Sequence, residues 1–104
     1  MEFVETTIFT ERITKLLTDE VYRDLQAVLA EHPTAGDVIP GTGGLRKIRW
    51  RAAHRGKRGG IRVIYDCQSA HRLYMIFAYE KTTQGDLTPE QLKVLRVRVA
   101  GGGV

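Results

Sequence analysis

Apolar residues in the first third of the chain recur at helical spacing. Phe9, Ile13, Leu16 and Leu17 form one apolar stripe. Thr18 can cap a following helix whose first turn is acidic. That helix has its own stripe, which Pro33 ends: Val21, Tyr22, Leu25, Val28 and Leu29. The spacing predicts two helices joined at Thr18, an αα-hairpin, after a short strand over residues 2–6.

The pattern changes after residue 44, where β-branched and aromatic residues become frequent. Three strands are predicted: Leu45–Trp50, Ile61–Cys67 and Leu73–Tyr79. Gln68-Ser69-Ala70 predicts a hairpin turn between the last two. The segment from Gly36 to Gly44 is rich in Gly and Pro, which predicts a connector without regular structure.

The end of the chain carries a helix-start signal. Thr88 suits the N-cap, Pro89 the first helical position and Gln91 the capping-box position. Leu92, Leu95 and Val99 are the expected inner face of this helix. The element order is β-α-α-β-β-β-α, an α+β fold with helices on one side of a mostly antiparallel sheet. We expect one domain over residues 1–100 and a flexible tail over residues 101–104.

Composition narrows the class of protein. The chain has 104 residues, of which 42% are hydrophobic and 27% charged, as in globular domains. Cys67 is the single cysteine, so no internal disulfide and no thiolate zinc site is expected, and we interpret it as a small core residue. No apolar run reaches the ~20 residues of a membrane span. We therefore expect a cytoplasmic protein without a metal ion, cofactor or membrane partner.

The charge is unevenly distributed. Residues 1–37 contain eight acidic and three basic side chains, whereas residues 38–65 contain eight basic side chains and no acidic one. The basic residues are Arg46, Lys47, Arg49, Arg51, Arg55, Lys57, Arg58 and Arg62. Such a block is typical of a surface that binds phosphates. A solvated basic loop is the alternative interpretation.

The alternation of strand side chains sorts these cations by face. Lys47, Arg49 and Arg51 share one face, while Ile48 and Trp50 share the other. In the next strand Ile61, Val63 and Tyr65 share a face, and Arg62 points the other way. If the two strands pair, Arg62 lies near Lys47 and Arg49. Cations that only keep the sheet soluble would give the same pattern.

Four stretches resemble the RelE/ParE toxin superfamily, and the HigB-like branch most. They are Leu45-Arg46-Lys47-Ile48-Arg49, Gly56-Lys57-Arg58-Gly59-Gly60, Ile61-Arg62-Val63-Ile64-Tyr65, and Phe77-Ala78-Tyr79-Glu80-Lys81 with Asp86-Leu87 after it. The resemblance covers about residues 2–99, and its motifs are short. It implies a toxin of a type II toxin–antitoxin pair that cuts mRNA in the ribosomal A site without a metal, by attack of the 2′-hydroxyl on the adjacent phosphate.

The resemblance also implies residue roles. Lys47 and Arg49 match the paired strand cations, as base and phosphate clamp; Arg62 matches the transition-state clamp, and Lys81 a fourth catalytic cation. A lysine acts as a base only when neighbouring cations lower its pKa from about 10.4. RNA or ribosome contacts are expected from the rest of the basic block: Arg46, Arg51, His54, Arg55, Lys57 and Arg58.

Some positions depart from the family pattern or stay open. Leu87 occupies the position where some RelE proteins carry a tyrosine. Tyr79 is either a base-stacking platform or a packed sheet residue, and His54 either a general base or an exposed loop residue. Trp50 is expected to pack under the helices rather than against RNA. His32 and His71 are interpreted as surface or structural residues.

Two other functions fit the same sequence. A ParE-type toxin would inhibit gyrase by binding, without nuclease activity. A plain nucleic-acid-binding module would cut nothing, although it needs aromatic residues among the cations, and only Trp50 comes close. For the toxin, the resemblance implies the ribosome, mRNA and a cognate antitoxin of the helix-turn-helix DNA-binding type as partners.

Overall fold

The strands form one sheet in the order β1-β5-β4-β3-β2, in a computed structural model that describes residues 1–51, 60–81, 87–88 and 90–92. Strand β1 runs parallel to β5, and the other three pairs are antiparallel. The predicted α+β class and the mostly antiparallel sheet are confirmed. In chain order the elements are β1 (Glu2–Glu5), α1 (Thr7–Leu16), α2 (Asp19–Glu31), β2 (Asp37–Val38), β3 (Arg46–Trp50), β4 (Ile61–Ser69) and β5 (Arg72–Glu80), and residues 90–92 are helical.

The helical hairpin forms where the sequence predicts it. The Thr18 side chain accepts a hydrogen bond from the Val21 N–H (3.2 Å), so it caps α2 as expected. Helix α2 ends at Glu31, two residues before Pro33. Leu25 and Leu29 from the predicted stripe are fully buried. The αα-hairpin is therefore confirmed.

The structure of two predicted connections differs from the prediction, whereas the other strand ends shift by at most one residue. The connector from Gly36 to Gly44 contains β2, whose two residues pair with Lys47 and Arg46 at the edge of the sheet. A two-residue strand has no periodicity of its own, so its sequence cannot reveal it. The β4–β5 turn lies at Ala70 and His71, not at Gln68-Ser69-Ala70, because β4 continues to Ser69.

The sheet separates two apolar clusters. On the hairpin face, Phe9, Ile13, Leu25 and Leu29 of the helices pack against a row of strand residues: Ile61, Val63, Tyr65, Leu73, Met75 and Ala78. On the opposite face the cluster comprises Leu45, Ile64, Ile76, Phe77, Tyr79 and Leu92. Leu92 belongs to the closing helix, so the expectation that all helices lie on one side is wrong. A thin sheet with apolar residues on both faces needs a cover on each side.

The start of the closing helix follows its sequence signal. The Gln91 side chain accepts from the Thr88 N–H (2.9 Å), and the Gln91 N–H donates to Thr88 Oγ1 (3.1 Å). This reciprocal pair is the predicted capping box. Leu95, Val99 and the tail over residues 101–104 lie outside the described residues. In the described part of the chain, no helix is long and apolar enough to cross a membrane.

A bulge in β5 changes which side chains face which way. Ile64 pairs with Phe77 and Tyr65 with Met75, so Ile76 is an extra residue on β5. Ile76 and Phe77 consequently both join the cluster on the opposite face. The Thr6 hydroxyl donates to the Ile76 carbonyl O (2.8 Å) and accepts from the Phe9 N–H (3.0 Å). One side chain thus caps α1 and ties it to the bulge.

We expect Thr6→Val to lower the free energy of unfolding by about 3 kcal/mol, through the lost cap and the buried Ile76 carbonyl left without its donor. Thr18→Val removes a cap of the same chemistry at the exposed start of α2, and should cost about 1 kcal/mol. Urea unfolding of both variants measures the difference. Equal losses would show that the Thr6–Ile76 bond contributes nothing.

Candidate nucleic-acid interface

The pairing of β3 with β4 brings three predicted site residues together. Arg49 lies directly opposite Arg62, and Lys47 lies opposite Ile64. Directly paired residues of an antiparallel pair point to the same face, so the three cations share the face opposite the helical hairpin. Ile48, Trp50, Ile61 and Val63 pack on the hairpin face. Both face assignments made from the sequence are confirmed.

A further pair of cations adjoins this group at the end of the sheet. The Lys81 N–H donates to the Gly60 carbonyl O (3.2 Å), which places Lys81 beside the start of β4. Arg51 follows β3 and lies on the other side of Gly60, since a Cβ on Gly60 would lie 3.6 Å from the Arg51 Cα. Three rows therefore cross the sheet: Arg51–Gly60–Lys81, Arg49–Arg62–Tyr79 and Lys47–Ile64–Phe77. Successive rows are about 6.6 Å apart.

Gly60 is required at its position for two reasons. Its φ is +53°, a left-handed conformation that side chains disfavour. A Cβ there would also lie 2.5 Å from the Trp50 carbonyl O. The middle of the outermost row thus carries no side chain, between the backbone positions of Arg51 and Lys81.

We call Lys47, Arg49, Arg51, Arg62 and Lys81 the cationic face. Arg49, Arg51 and Lys81 are exposed, and Lys47 and Arg62 are half-buried. Residues 38–65 contain no carboxylate, and Asp37 of β2 lies directly opposite Lys47 on this face. Arg49 and Arg62 are like charges directly opposite each other, an arrangement that destabilises a sheet. The arrangement presents planar guanidinium groups, which bind phosphate in two places, next to lysines.

Arg46 is separated from the cationic face by its register. It pairs with Tyr65, and its Nη1 donates to the carbonyl O of Gly36 (2.7 Å) and of Thr34 (3.3 Å). The Tyr65 hydroxyl holds the same segment, because it donates to the Pro33 carbonyl O (2.8 Å) and accepts from the Gly36 N–H (2.9 Å). Arg46 therefore fastens the chain between α2 and β2 rather than lying beside Lys47 and Arg49.

The structure also places the aromatic and histidine candidates. Tyr79 is 1% exposed, and its ring centroid lies 6.0 Å from that of Phe77. Of the two interpretations of Tyr79, the structure therefore shows the packed sheet residue. Trp50 packs against the hairpin-face cluster, as expected, and half-buried Cys67 does the same. Leu87 packs against the other cluster.

His32 and His71 are exposed. His54, Arg55, Lys57 and Arg58 lie outside the described residues.

One cation near this face was missed by the sequence reasoning. The Arg12 guanidinium lies over the Phe77 ring, with its carbon 5.0 Å from the ring centroid. Ile8, one helical turn earlier, packs against the same cluster as Phe77. The i, i+4 spacing of Ile8 and Arg12 is the signal that places them on one stripe. Arg12 lies in the acidic first third of the chain, so a count of charges along the sequence does not single it out.

Within the described ranges, no three His, Cys, Asp or Glu side chains are grouped so that they could hold a metal ion. A comparison of the chain with models of known protein families finds no match.

Arg46 and Arg49 should respond oppositely to the same substitution. Arg46→Gln removes charge-assisted bonds to two carbonyls and should lower the free energy of unfolding by about 1.5 kcal/mol. Arg49→Gln removes a like-charge pair and should raise it by about 0.5 kcal/mol. Urea unfolding at low ionic strength tests both. A loss of stability in Arg49→Gln comparable to that in Arg46→Gln would contradict the assigned roles.

Stability should fall in alkaline solution because of Tyr65. Burial raises the pKa of Tyr65 above its ordinary value of 10.0, and the Gly36 hydrogen bond and the Arg46 charge offset this only in part. The unfolded chain then loses this proton first, so the contribution is complete below pH 10 and is lost as pH rises through the higher folded-state pKa.

Urea unfolding at several pH values checks this slope. Tyr65→Phe should show a smaller fall than the parent protein above pH 10, the ordinary value for tyrosine. A residual fall is expected from Tyr22, because burial and the hydrogen bond to Glu5 also raise the pKa of that hydroxyl. An unchanged slope in Tyr65→Phe would refute the assignment.

Proposed function

We propose that the chain is a HigB-like toxin of the RelE/ParE superfamily, a ribosome-dependent endoribonuclease that cuts mRNA without a metal ion. The observation that supports this most is the cationic face, where strand register and the backbone bond from Lys81 to Gly60 bring the four matched positions close together: Lys47, Arg49, Arg62 and Lys81. RNA cleavage of this kind needs a base, a phosphate clamp and a proton donor close together.

The proton chemistry distinguishes the members of the cationic face. An arginine side chain keeps its proton at any accessible pH, so only Lys47 and Lys81 can exchange one. They lie in the first and third rows, on either side of the row that holds Arg49 and Arg62. An in-line displacement at phosphorus likewise has its attacking and leaving oxygens on opposite sides of the phosphate.

The proposed step follows from this arrangement. Lys47 in its neutral form takes the proton of the ribose 2′-hydroxyl, and the 2′-oxygen forms a bond to phosphorus. Arg62 and Arg49 hold the non-bridging oxygens while negative charge accumulates on them. The bond from phosphorus to the 5′-oxygen breaks, and Lys81 gives that oxygen its proton. The products are a 2′,3′-cyclic phosphate and a free 5′-hydroxyl, so atoms and charges balance without a further reactant.

Partners follow from the same charge distribution. A surface on which five cations are gathered and Asp37, opposite Lys47, is the carboxylate paired with one of them favours the ribosome and mRNA, with binding that weakens as salt rises. A cognate antitoxin, of the helix-turn-helix type in the related pairs, would silence the toxin by covering the cationic face with acidic side chains. Helix α2, on the other side of the sheet, carries half of the acidic residues of the first 37 positions and would face away from the RNA.

The test is cleavage of an mRNA on programmed ribosomes in the presence of EDTA, with the same mRNA free of ribosomes as the control. Cuts in the A-site codon that leave a cyclic phosphate are expected only with ribosomes. Lys47→Ala, Arg62→Ala and Lys81→Ala should each reduce the rate about 100-fold or more. Arg23→Ala on the exposed side of α2 is the matched control and should leave the rate unchanged.

The double variant Lys47→Ala/Arg62→Ala decides between the candidate functions. If it folds and still stops growth of a host cell, the nuclease proposal is wrong. Toxicity of the parent protein without any mRNA cuts would instead point to the ParE-type inhibition of gyrase. Equal cutting of ribosome-bound and free mRNA would contradict the dependence on the ribosome.

A further inference from the structure

Arg12 is an exposed cation in contact with an aromatic ring. Its guanidinium carbon lies 5.0 Å from the Phe77 ring centroid, and the side chain is exposed. No carboxylate of the described residues forms an ion pair with it. One side of the guanidinium therefore covers the aromatic ring, and solvent reaches the group from elsewhere. Contact with the ring favours a defined position for an otherwise mobile side chain.

The face that carries Arg12 has little exposed aromatic surface in its described part. Tyr79 is 1% exposed and Phe77 is 5% exposed, under the cluster that includes Leu92. Half-buried Tyr74 lies opposite Asp66, four residues along β4 from Arg62, which is about 13 Å. A single-stranded RNA held on this face would gain from a flat surface for a base, since proteins bind single strands by combining a cationic groove with sequence-tolerant stacking of bases.

We propose that Arg12, supported by Phe77, is the stacking surface for a base of the bound RNA. A guanidinium plane stacks on a base as an aromatic ring does. The base, the guanidinium and the Phe77 ring would then form a three-layer stack. Arg12 is a base-binding residue in this arrangement and takes no part in proton transfer.

The position of Arg12 relative to the cationic face fits this role. Phe77 is two residues from Tyr79, and Tyr79 lies directly opposite Arg62. The Cα atoms of Phe77 and Arg62 are thus about 8 Å apart, from the strand spacing and the rise per residue. That separation is of the order of the distance from a phosphate to a neighbouring base of the same nucleic-acid strand. A base next to the phosphate on Arg62 would therefore reach Arg12.

The inference rests on the proposed function, so the experiment separates the two. An mRNA carries 2-aminopurine in the A-site codon and 2′-O-methyl groups that block cleavage, and quenching of its fluorescence on programmed ribosomes reports stacking. Cleavage of the unmodified mRNA is measured in parallel. The variants are Arg12→Lys, which keeps the charge and loses the plane, Arg12→Ala, and Arg23→Lys as the matched control on α2. Thermal unfolding confirms that each variant is folded.

The stacking role predicts that Arg12→Lys and Arg12→Ala both lose the quenching and cut about tenfold more slowly. Arg23→Lys should match the parent in both assays. If Arg12→Lys retains quenching and rate while Arg12→Ala does not, the residue acts through charge, and the stacking role is overturned. Parental behaviour of both Arg12 variants would overturn it as well, while the loss of cutting in Lys47→Ala upholds the nuclease. Absence of cutting by the parent protein refutes the proposed function itself, and absence of quenching by the parent refutes the stacking.

Discussion

The side chain of Thr6 connects the two halves of this fold. Its hydroxyl caps α1 through the Phe9 N–H and holds the carbonyl of Ile76, the extra residue in β5. The bulge reverses the alternation of β5, so Ile76 and Phe77 both face away from the helical hairpin. Because α1 is fastened at the bulge, its Arg12 reaches the Phe77 ring. Helix position and side-chain facing are therefore set by one buried contact between residues 70 positions apart.

Neighbouring basic residues of β3 have different roles because their side chains lie on opposite faces of the sheet. Arg46 fastens the connection between α2 and β2, while Lys47 next to it lies on the opposite side of the strand. Its cross-strand neighbour Tyr65 holds the same connection. These stabilising contacts of Arg46 and Tyr65 lie on the hairpin face, and the like-charge pair of Arg49 and Arg62 lies on the other. Binding of RNA to this face, as proposed, would relieve the repulsion, because a ligand of opposite charge lies between the two cations.

The two proposals divide the opposite face between phosphate and base. The cationic face would hold the backbone of an RNA strand, and the stack of Arg12 on Phe77 would hold a base. Tyr79, which the sequence offered as a stacking platform for a base, is buried and packs against Phe77. An arginine from a helix would thereby take the place of an exposed aromatic ring. The proposed cleavage and the proposed stack rest on different residues.

The sequence by itself determined the elements with strong local signals. The apolar stripe of α2, its Thr18 cap and the Thr88–Gln91 capping box all form as predicted, because each depends on residues within a few positions of one another. Strand alternation also placed Lys47 with Arg49 on one face of β3, and Arg62 on the face of β4 away from Ile61 and Val63. The direct opposition of Arg49 and Arg62, the short β2, the bulge at Ile76 and the reach of Arg12 were decided only by tertiary structure. Register and bulges depend on which distant strand lies alongside, and no local spacing contains that information.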